Sequence, residues 1–253
     1  MRTEKERLVV ITIDIGGIYA AVDNKYEYIA MLAADYLTDE RPDFTVSVDM
    51  NEISLEREKS EYKNLPDAYF ESIVAYRKIA EILPTMDAFV FHGSVLAYGG
   101  KAYILTAKSG VGKTTHTRLW LSEFGENCHV LNGDKPVIRY KDGAFFACGT
   151  PWRGKEMYGI HETLPLGGIA FLERGKTNRT YRISVSEATQ RLAVQAYKPR
   201  ERMAAIKSLL LIDRVLSEVS LVRLECNMEP DAAHVSREAL VDGIFSEVEN
   251  EIQ

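Results

Sequence analysis

Several things are scarce in this chain of 253 residues, and each scarcity excludes something. Cysteine occurs three times, at Cys128, Cys148 and Cys226. These lie far apart and form no metal-spaced pair. Two follow or end apolar runs, so buried free thiols in a reducing cytoplasm are expected. There is no excess of positive charge. Lys and Arg number 31 against 37 Asp and Glu, a net charge of −6. No global basic field exists for nucleic acid, so any phosphate affinity must be local. The opening Met-Arg-Thr-Glu-Lys-Glu-Arg carries acids and leads into an apolar run too short to span a membrane. It has no signal-peptide cleavage pattern, so a cytoplasmic protein without a membrane partner is expected. Internal repeats and low-complexity segments are absent as well.

What is present is ordinary in bulk and specific in one place. Hydrophobic residues make up 46% and charged residues 27%, as in soluble globular proteins. The length suits one large domain or two small ones. The specific place is Ala107-Lys-Ser-Gly-Val-Gly-Lys-Thr114. It fits the phosphate-binding loop, with alanine rather than glycine at its first position. Residues 101–106 before it are apolar enough for a buried strand. Residues 115–124 after it read as a helix with Leu119, Trp120 and Phe124 facing inward. In that context Ser109, Gly110, Val111, Gly112, Lys113, Thr114 and Thr115 would bind a nucleotide. Glycines let backbone N–H groups turn inward around phosphates, and the helix start adds a favourable dipole. Lys113 would reach the β- and γ-phosphates and the Thr114 hydroxyl would bind Mg²⁺.

The remaining pattern is of mixed type. Residues 8–22 alternate Ile11, Ile13 and Ile15 with Tyr19 and Val22 around Gly16-Gly17, predicting strand, turn, strand. Asp14-Ile-Gly-Gly17 resembles a sugar-kinase phosphate loop, but Ile18 stands where threonine usually follows, and a plain β-turn is the preferred reading. Residues 26–37 read as helix or strand, 43–48 as a short strand, and 51–64 as a charged surface loop. Pro66 opens a helix with Phe70, Ile73, Val74, Tyr76, Ile79, Ala80 and Leu83 at helical spacing, and Pro84 stops it. Residues 88–91, 95–98 and 101–106 read as strands, with Gly99-Gly100 as a hairpin turn. A second hairpin, over 136–147, turns at Asp142-Gly143. Residues 168–173 form another strand. Such frequent turns predict a mixed, partly antiparallel sheet. The C-terminal part is helical: Ser184 and Glu187 are set for a capping box, residues 200–216 carry an apolar face, and Pro230 starts a last helix after a strand at 220–224. These stripes are expected to be core.

Phosphoryl transfer needs a phosphate cradle, a metal anchor and a group that orients or deprotonates the acceptor. Asp134 ends an apolar run after the loop, where an acid can hold Mg²⁺ or take a hydroxyl proton; alone it would read as a turn aspartate. His92 ends an apolar strand one hairpin before the loop strand, within reach of the phosphates. His116 sits on the loop helix and reads as structural.

In order, Phe91-His-Gly-Ser94, a hairpin, the loop and Gly133-Asp134 resemble the nucleotide-binding core of HPr kinase/phosphorylase and the related ATP-dependent phosphoenolpyruvate carboxykinases. Residues 159–174, from a Gly-Ile turn into a strand ending Leu-Glu, are similar to an HPr kinase segment. The likeness covers residues 88–174. It implies an α/β chain of the mixed α+β kind: a carboxykinase-like nucleotide-binding core at 86–253 with a helical C-terminal part, after an N-terminal α/β portion at 1–85. It implies that Asp134 serves as base and metal partner and that His92 is a metal ligand or lies behind one. Lys135 departs from the pattern, standing where the family has a second acid. Thr150-Pro-Trp-Arg-Gly-Lys155 resembles a stretch in HPr-kinase-like proteins linked to modified-peptide chemistry. Arg153 and Lys155 either stabilise charge on the transferring phosphoryl group or are solvated loop charges. The expected protein is a kinase using ATP and Mg²⁺. It would phosphorylate a hydroxyl on a peptide, small protein or small molecule, and could be a homo-oligomer. The alternatives are a nucleotide-binding regulator without chemistry and an enzyme acting on a small carboxylate.

Overall fold

The computed structural model describes residues 9–108 and 110–246. Leu8 of the first expected strand and Ser109 of the glycine loop lie outside them. The described residues build two sheets. In the first, β1 (Val9–Asp14) and β2 (Tyr19–Asn24) form an antiparallel hairpin, and β3 (Phe44–Ser47) lies parallel to β2. The period-2 alternation explains the pairing: Ile11 and Ile13 are buried while Val10 is exposed. At the hairpin turn, Asp14 Oδ1 accepts from the Gly17 N–H at 2.6 Å. A Cβ on Gly16 would sit 2.3 Å from Cys148 Sγ, so the turn is packed, not open to a ligand.

Residues 26–37 resolve as the short helix α1 (Tyr28–Leu32) and a 3₁₀ turn at Ala34–Tyr36. The charged stretch expected as a loop is instead helix α2 (Met50–Lys59). Asp49 and Glu52 form a capping box at its start. Its contacts to α3 (Asp67–Ile82) fix the rest: Glu56 accepts from Arg77 at 2.5 Å, Glu52 pairs with Lys78 at 2.6 Å, and Ile53 is fully buried. Helical spacing of few apolar residues hid this element, because its partners are charges on another helix.

The large sheet draws on β4 (Ala88–Val90), β5 (Ser94–Tyr98), β6 (Lys101–Thr106), β7 (Cys128–Asn132), β8 (Val137–Lys141) and β9 (Ala144–Cys148). It is completed by β10 (Thr163–Arg174), β11 (Arg179–Arg182) and β12 (Ser220–Cys226). Its order is β4-β8-β9-β10-β6-β5-β7, with β12 on β10 and β11 on β12. Only β6–β10 and β10–β12 are parallel within it. The sheet is thus mixed, as the turn frequency predicts. Strand β10 starts earlier than its apolar run. Its first residues pair with β9, and a register shift between Leu166 and Gly168 hands it on to β6. At that shift a Cβ on Gly167 would meet the Tyr103 ring at 2.5 Å. Strand β11 was not legible, being four residues with arginine at each end.

Four helices cover this sheet: α4 (Lys113–Phe124), α5 (Val185–Gln195), α6 (Arg202–Glu218) and α7 (Asp231–Arg237). Alternate β6 residues divide between two cores, Ala102 and Ile104 on one face and Tyr103 and Leu105 on the other. A third core joins the first sheet and α3 to Ala88, Val90, Val137 and Cys148 of the large sheet. The expectation that every C-terminal apolar stripe is core needs correction at α6. Met203, Leu209 and Leu210 are exposed, while Ala204, Leu211, Ile212 and Val215 are buried. Four consecutive apolar residues at 209–212 span a full turn, and only one side of a turn can face the sheet. Burial pushes all three thiols up to about 11, so they stay protonated and unreactive at neutral pH. Among the described residues, no helix is long and apolar enough to cross a membrane.

Candidate active site

Strand β6 lies at the centre of the large sheet, and its C-terminal end delivers the chain into the glycine loop. Gly110 and Gly112 take φ values of +79° and +131°, in the region that favours glycine, and the space beside each is open. Gly112 caps α4 without a side chain, so nothing from the cap covers the first-turn N–H groups. Lys113 Nζ donates to the Ala107 carbonyl at 3.2 Å, folding back over the loop. Its burial lowers its pKa, against the opposing pull of Asp134. Thr114 and Thr115 are exposed on the first turn of α4. Val111 turns away and packs on the core beneath. From the end of β10, Arg174 grips the loop from outside, donating to the Gly110 carbonyl at 2.5 Å and the Val111 carbonyl at 3.4 Å.

Asp134 is held by a buried asparagine. Asn132 Oδ1 accepts from the backbone N–H of Asp134 at 2.9 Å and of Lys135 at 2.8 Å. Asn132 Nδ2 donates to the carbonyl and the hydroxyl of Thr150, both at 3.1 Å. Oδ1 of Asp134 lies 3.3 Å from His92 Nε2 and 3.4 Å from Lys135 Nζ. Burial alone would raise the Asp134 pKa. The His92 hydrogen bond and the Lys135 charge outweigh it, and the carboxyl is held below its ordinary value. His92 is oriented in turn by Gln195, whose Oε1 is 3.0 Å from Nδ1. Nε2 is the ring atom turned to Asp134. Gly93 N–H donates to the Asp134 carbonyl at 3.1 Å, which ties the two turns together.

The segment after β9 closes over this pair. Gly154, at φ +79°, presses on Asp134 so closely that a Cβ would sit 2.8 Å from the aspartate Cβ. Arg153 is not a solvated loop charge. Its guanidinium bonds Asp35 at 2.9 Å and lies over the Tyr36 ring at 5.4 Å. Lys155 is exposed.

These parts line one cleft of about 970 Å³. Gly110, Gly112, Lys113, Thr114, Thr115, His92, Asp134, Arg153 and Lys155 all border it, while Val111 does not. The site residues legible in the sequence therefore come together in space. The wall facing them was not foreseen. Tyr28 and Leu32 of α1 and Tyr69, Ile73, Tyr76 and Arg77 of α3 supply it, joined by Trp152. Ile73 and Tyr76 were expected in the core. Ile73 belongs to none of the core clusters among the described residues, and Tyr76 is only half-buried. Phe70 and Val74 mark the buried face of α3, whereas 69, 73 and 76 recur at i, i+4 and i+7 on another. That second stripe was the available signal. Asn132, Gln195 and Arg174 were also missed, because each acts through the backbone or through another side chain.

No known protein family matches the chain, and no curated protein does. Among solved structures, the Hpr(Ser) kinase/phosphatase from Coxiella burnetii is similar over 50% of this chain and 96% of that one. The identity is 11% and the TM-score 0.29.

Proposed function

We propose that the cleft binds ATP with Mg²⁺ and that the chain is a phosphotransferase acting on a Ser or Thr hydroxyl of a peptide, small protein or small molecule. One observation carries this reading. The glycine loop with its uncapped helix start and the Asp134–His92 pair border the same cleft. The charge balance supports it. Five cations border the cleft; Arg77 and Arg153 are paired with Glu56 and Asp35, which leaves Lys113, Lys135 and Lys155 against Asp134 and Glu156, in a chain of net charge −6. The local field favours phosphates where the global one does not.

The donor set fits a phosphate-borne Mg²⁺. Asp134 is ionised and hard, and the Thr114 hydroxyl is exposed. Among the described residues no group of three His, Cys, Asp or Glu forms a metal cage. Mg²⁺ commonly needs only one or two carboxylates plus substrate phosphates and water. Mg·ATP would supply the transferable phosphoryl group and the metal's charge. The loop N–H groups and Lys113 would hold phosphate oxygens, and Thr114 with Asp134 would hold the metal. Asp134 would also orient the acceptor hydroxyl and receive its proton. A carboxylate with a lowered pKa is a weak base, which a loose phosphoryl-transfer transition state tolerates, because positioning outweighs proton removal there. His92, steadied by Gln195, would position Asp134.

The test has two stages. ATP with Mg²⁺ at 100 times its Kd should add about 2.7 kcal/mol, a rise of roughly 5–11 °C in melting temperature. Labelled phosphate should then pass to a hydroxyl acceptor, and Asp134→Asn should slow that transfer about 10²–10⁴-fold. Full transfer by Asp134→Asn would sink the role given to this residue, and no shift with any nucleotide would sink the whole reading. A second reading is favoured by Lys135, whose ammonium sits 3.4 Å from Asp134 Oδ1. A nucleotide-binding regulator would show the thermal shift and no loss of the γ-phosphate.

A further inference from the structure

The cleft has two unlike walls. One carries the glycine loop, Asp134 and most of the charge. The other is mostly apolar and aromatic, built by residues of α1 and α3 and by Trp152, with Arg77 its one charge among the described residues. Tyr69, Ile73 and Tyr76 form a stripe along α3, and Tyr28 and Leu32 stand one turn apart on α1. All five are half-buried. Tyr28, Tyr69, Tyr76 and Trp152 pack on the core behind them and leave a half-open face on the cleft, and such a face points to an occupant.

The wall's position along the cleft decides which occupant. Trp152 packs at a tilt against Tyr76 with ring centroids 5.4 Å apart, and its Nε1 donates to the Ser72 carbonyl at 3.2 Å. Two residues further on, Gly154 rests against Asp134. The aromatic wall therefore adjoins Asp134, the proposed proton-accepting carboxylate. Phosphoryl transfer is roughly in line, with the leaving and attacking oxygens on opposite sides of the transferred group. The nucleoside lies on the leaving side and the acceptor on the side of Asp134.

We propose that Tyr28, Leu32, Tyr69, Ile73, Tyr76 and Trp152 form the acceptor subsite, and that the accepting hydroxyl carries an apolar or aromatic group beside it. This rests on the phosphotransferase reading. It gives the N-terminal α/β portion a role, which is to select the acceptor. Stacking and apolar contact with these side chains supply the selectivity.

The full chain is incubated with labelled ATP and Mg²⁺, a pool of heptapeptides with central serine and randomised flanks, and a matched pool of aliphatic and aromatic alcohols. Nucleotide affinity is measured separately by calorimetry. Labelled products should be enriched in aromatic or branched apolar groups next to the hydroxyl. Ile73→Ala, outside the core clusters, should raise the KM of the preferred acceptor about tenfold. It should leave the ATP Kd within about twofold. Transfer without apolar enrichment, or an Ile73→Ala variant that weakens ATP instead of the acceptor, overturns the subsite while sparing the phosphotransferase. ATP binding with no transfer to either pool overturns both. Failure to bind ATP overturns the underlying reading first, and is seen before any acceptor is added.

Discussion

Helix α4, which presents the candidate phosphate loop, is anchored at its first turn by a histidine that should make the protein acid-sensitive. His116 is 2% exposed, and its Nε2 lies 2.9 Å from Ser236 Oγ. That hydroxyl also accepts from Trp120 Nε1 at 2.7 Å and donates its single proton to the Ala233 carbonyl at 3.0 Å. Its remaining lone pair must therefore receive a proton from His116, which fixes the Nε2–H tautomer. Nδ1 then carries the lone pair and has no partner. A proton there would be charged, dry and unpaired, and burial pushes the pKa down to about 4. Above pH 6.5 the ring is neutral whether folded or unfolded, and it contributes no pH dependence. Below 6.5 the unfolded chain binds a proton that the folded one refuses until about pH 4. Stability is thus intact above 6.5 and is lost as pH falls towards 4. At about 1.4 kcal/mol per pH unit the loss reaches ~3 kcal/mol, or roughly 6–12 °C for a chain of this size. Carboxylates also titrate in this range, so the measurement compares two proteins. His116→Gln keeps an N–H for Ser236 and cannot take up the proton. Urea unfolding of both at intervals from pH 7.5 to 4 should show the variant gaining on the wild type by ~3 kcal/mol across the window. Parallel profiles would refute the argument.

Other perturbations follow from the site. Gly154→Ala forces a side chain into a left-handed backbone and against Asp134, and should cost about 1–2 kcal/mol of stability by chemical denaturation. It should also slow transfer more than it weakens nucleotide binding, and an unaltered turnover would show that Asp134 does not need that packing. Gln195→Leu releases Nδ1 of His92. The Mg²⁺ concentration that half-saturates transfer should then rise about 10–100-fold, while the thermal midpoint without metal stays nearly the same. An unchanged Mg²⁺ titration would detach His92 from the proposed metal site.

Much of the site could be read along the chain because its parts are local. A glycine loop between strand and helix carries its chemistry in eight consecutive residues. Asp134 and His92 stand at strand ends, where an apolar run breaks on a polar residue. Hairpins marked by Gly99-Gly100 and Asp142-Gly143 announced a mixed sheet. Helix α2 was hidden because ion pairs to α3, not an apolar stripe of its own, hold it. The exposure of Leu209 and Leu210 was hidden because four apolar residues in a row do not say which of them meets the sheet.

The sequence by itself determined the loop, its flanking strand and helix, and the residue types that could serve phosphate chemistry. Only the tertiary structure decided how those residues face one another. It brought His92 Nε2 to 3.3 Å from Asp134 across 42 residues of chain, and it turned Arg153 onto Asp35. It also brought α1 and α3 to the same cleft as the glycine loop. Two stripes on one helix can both be apolar, yet one closes a core and the other opens on a cleft. Helical spacing is the same in both cases, and the difference lies in what packs against each face.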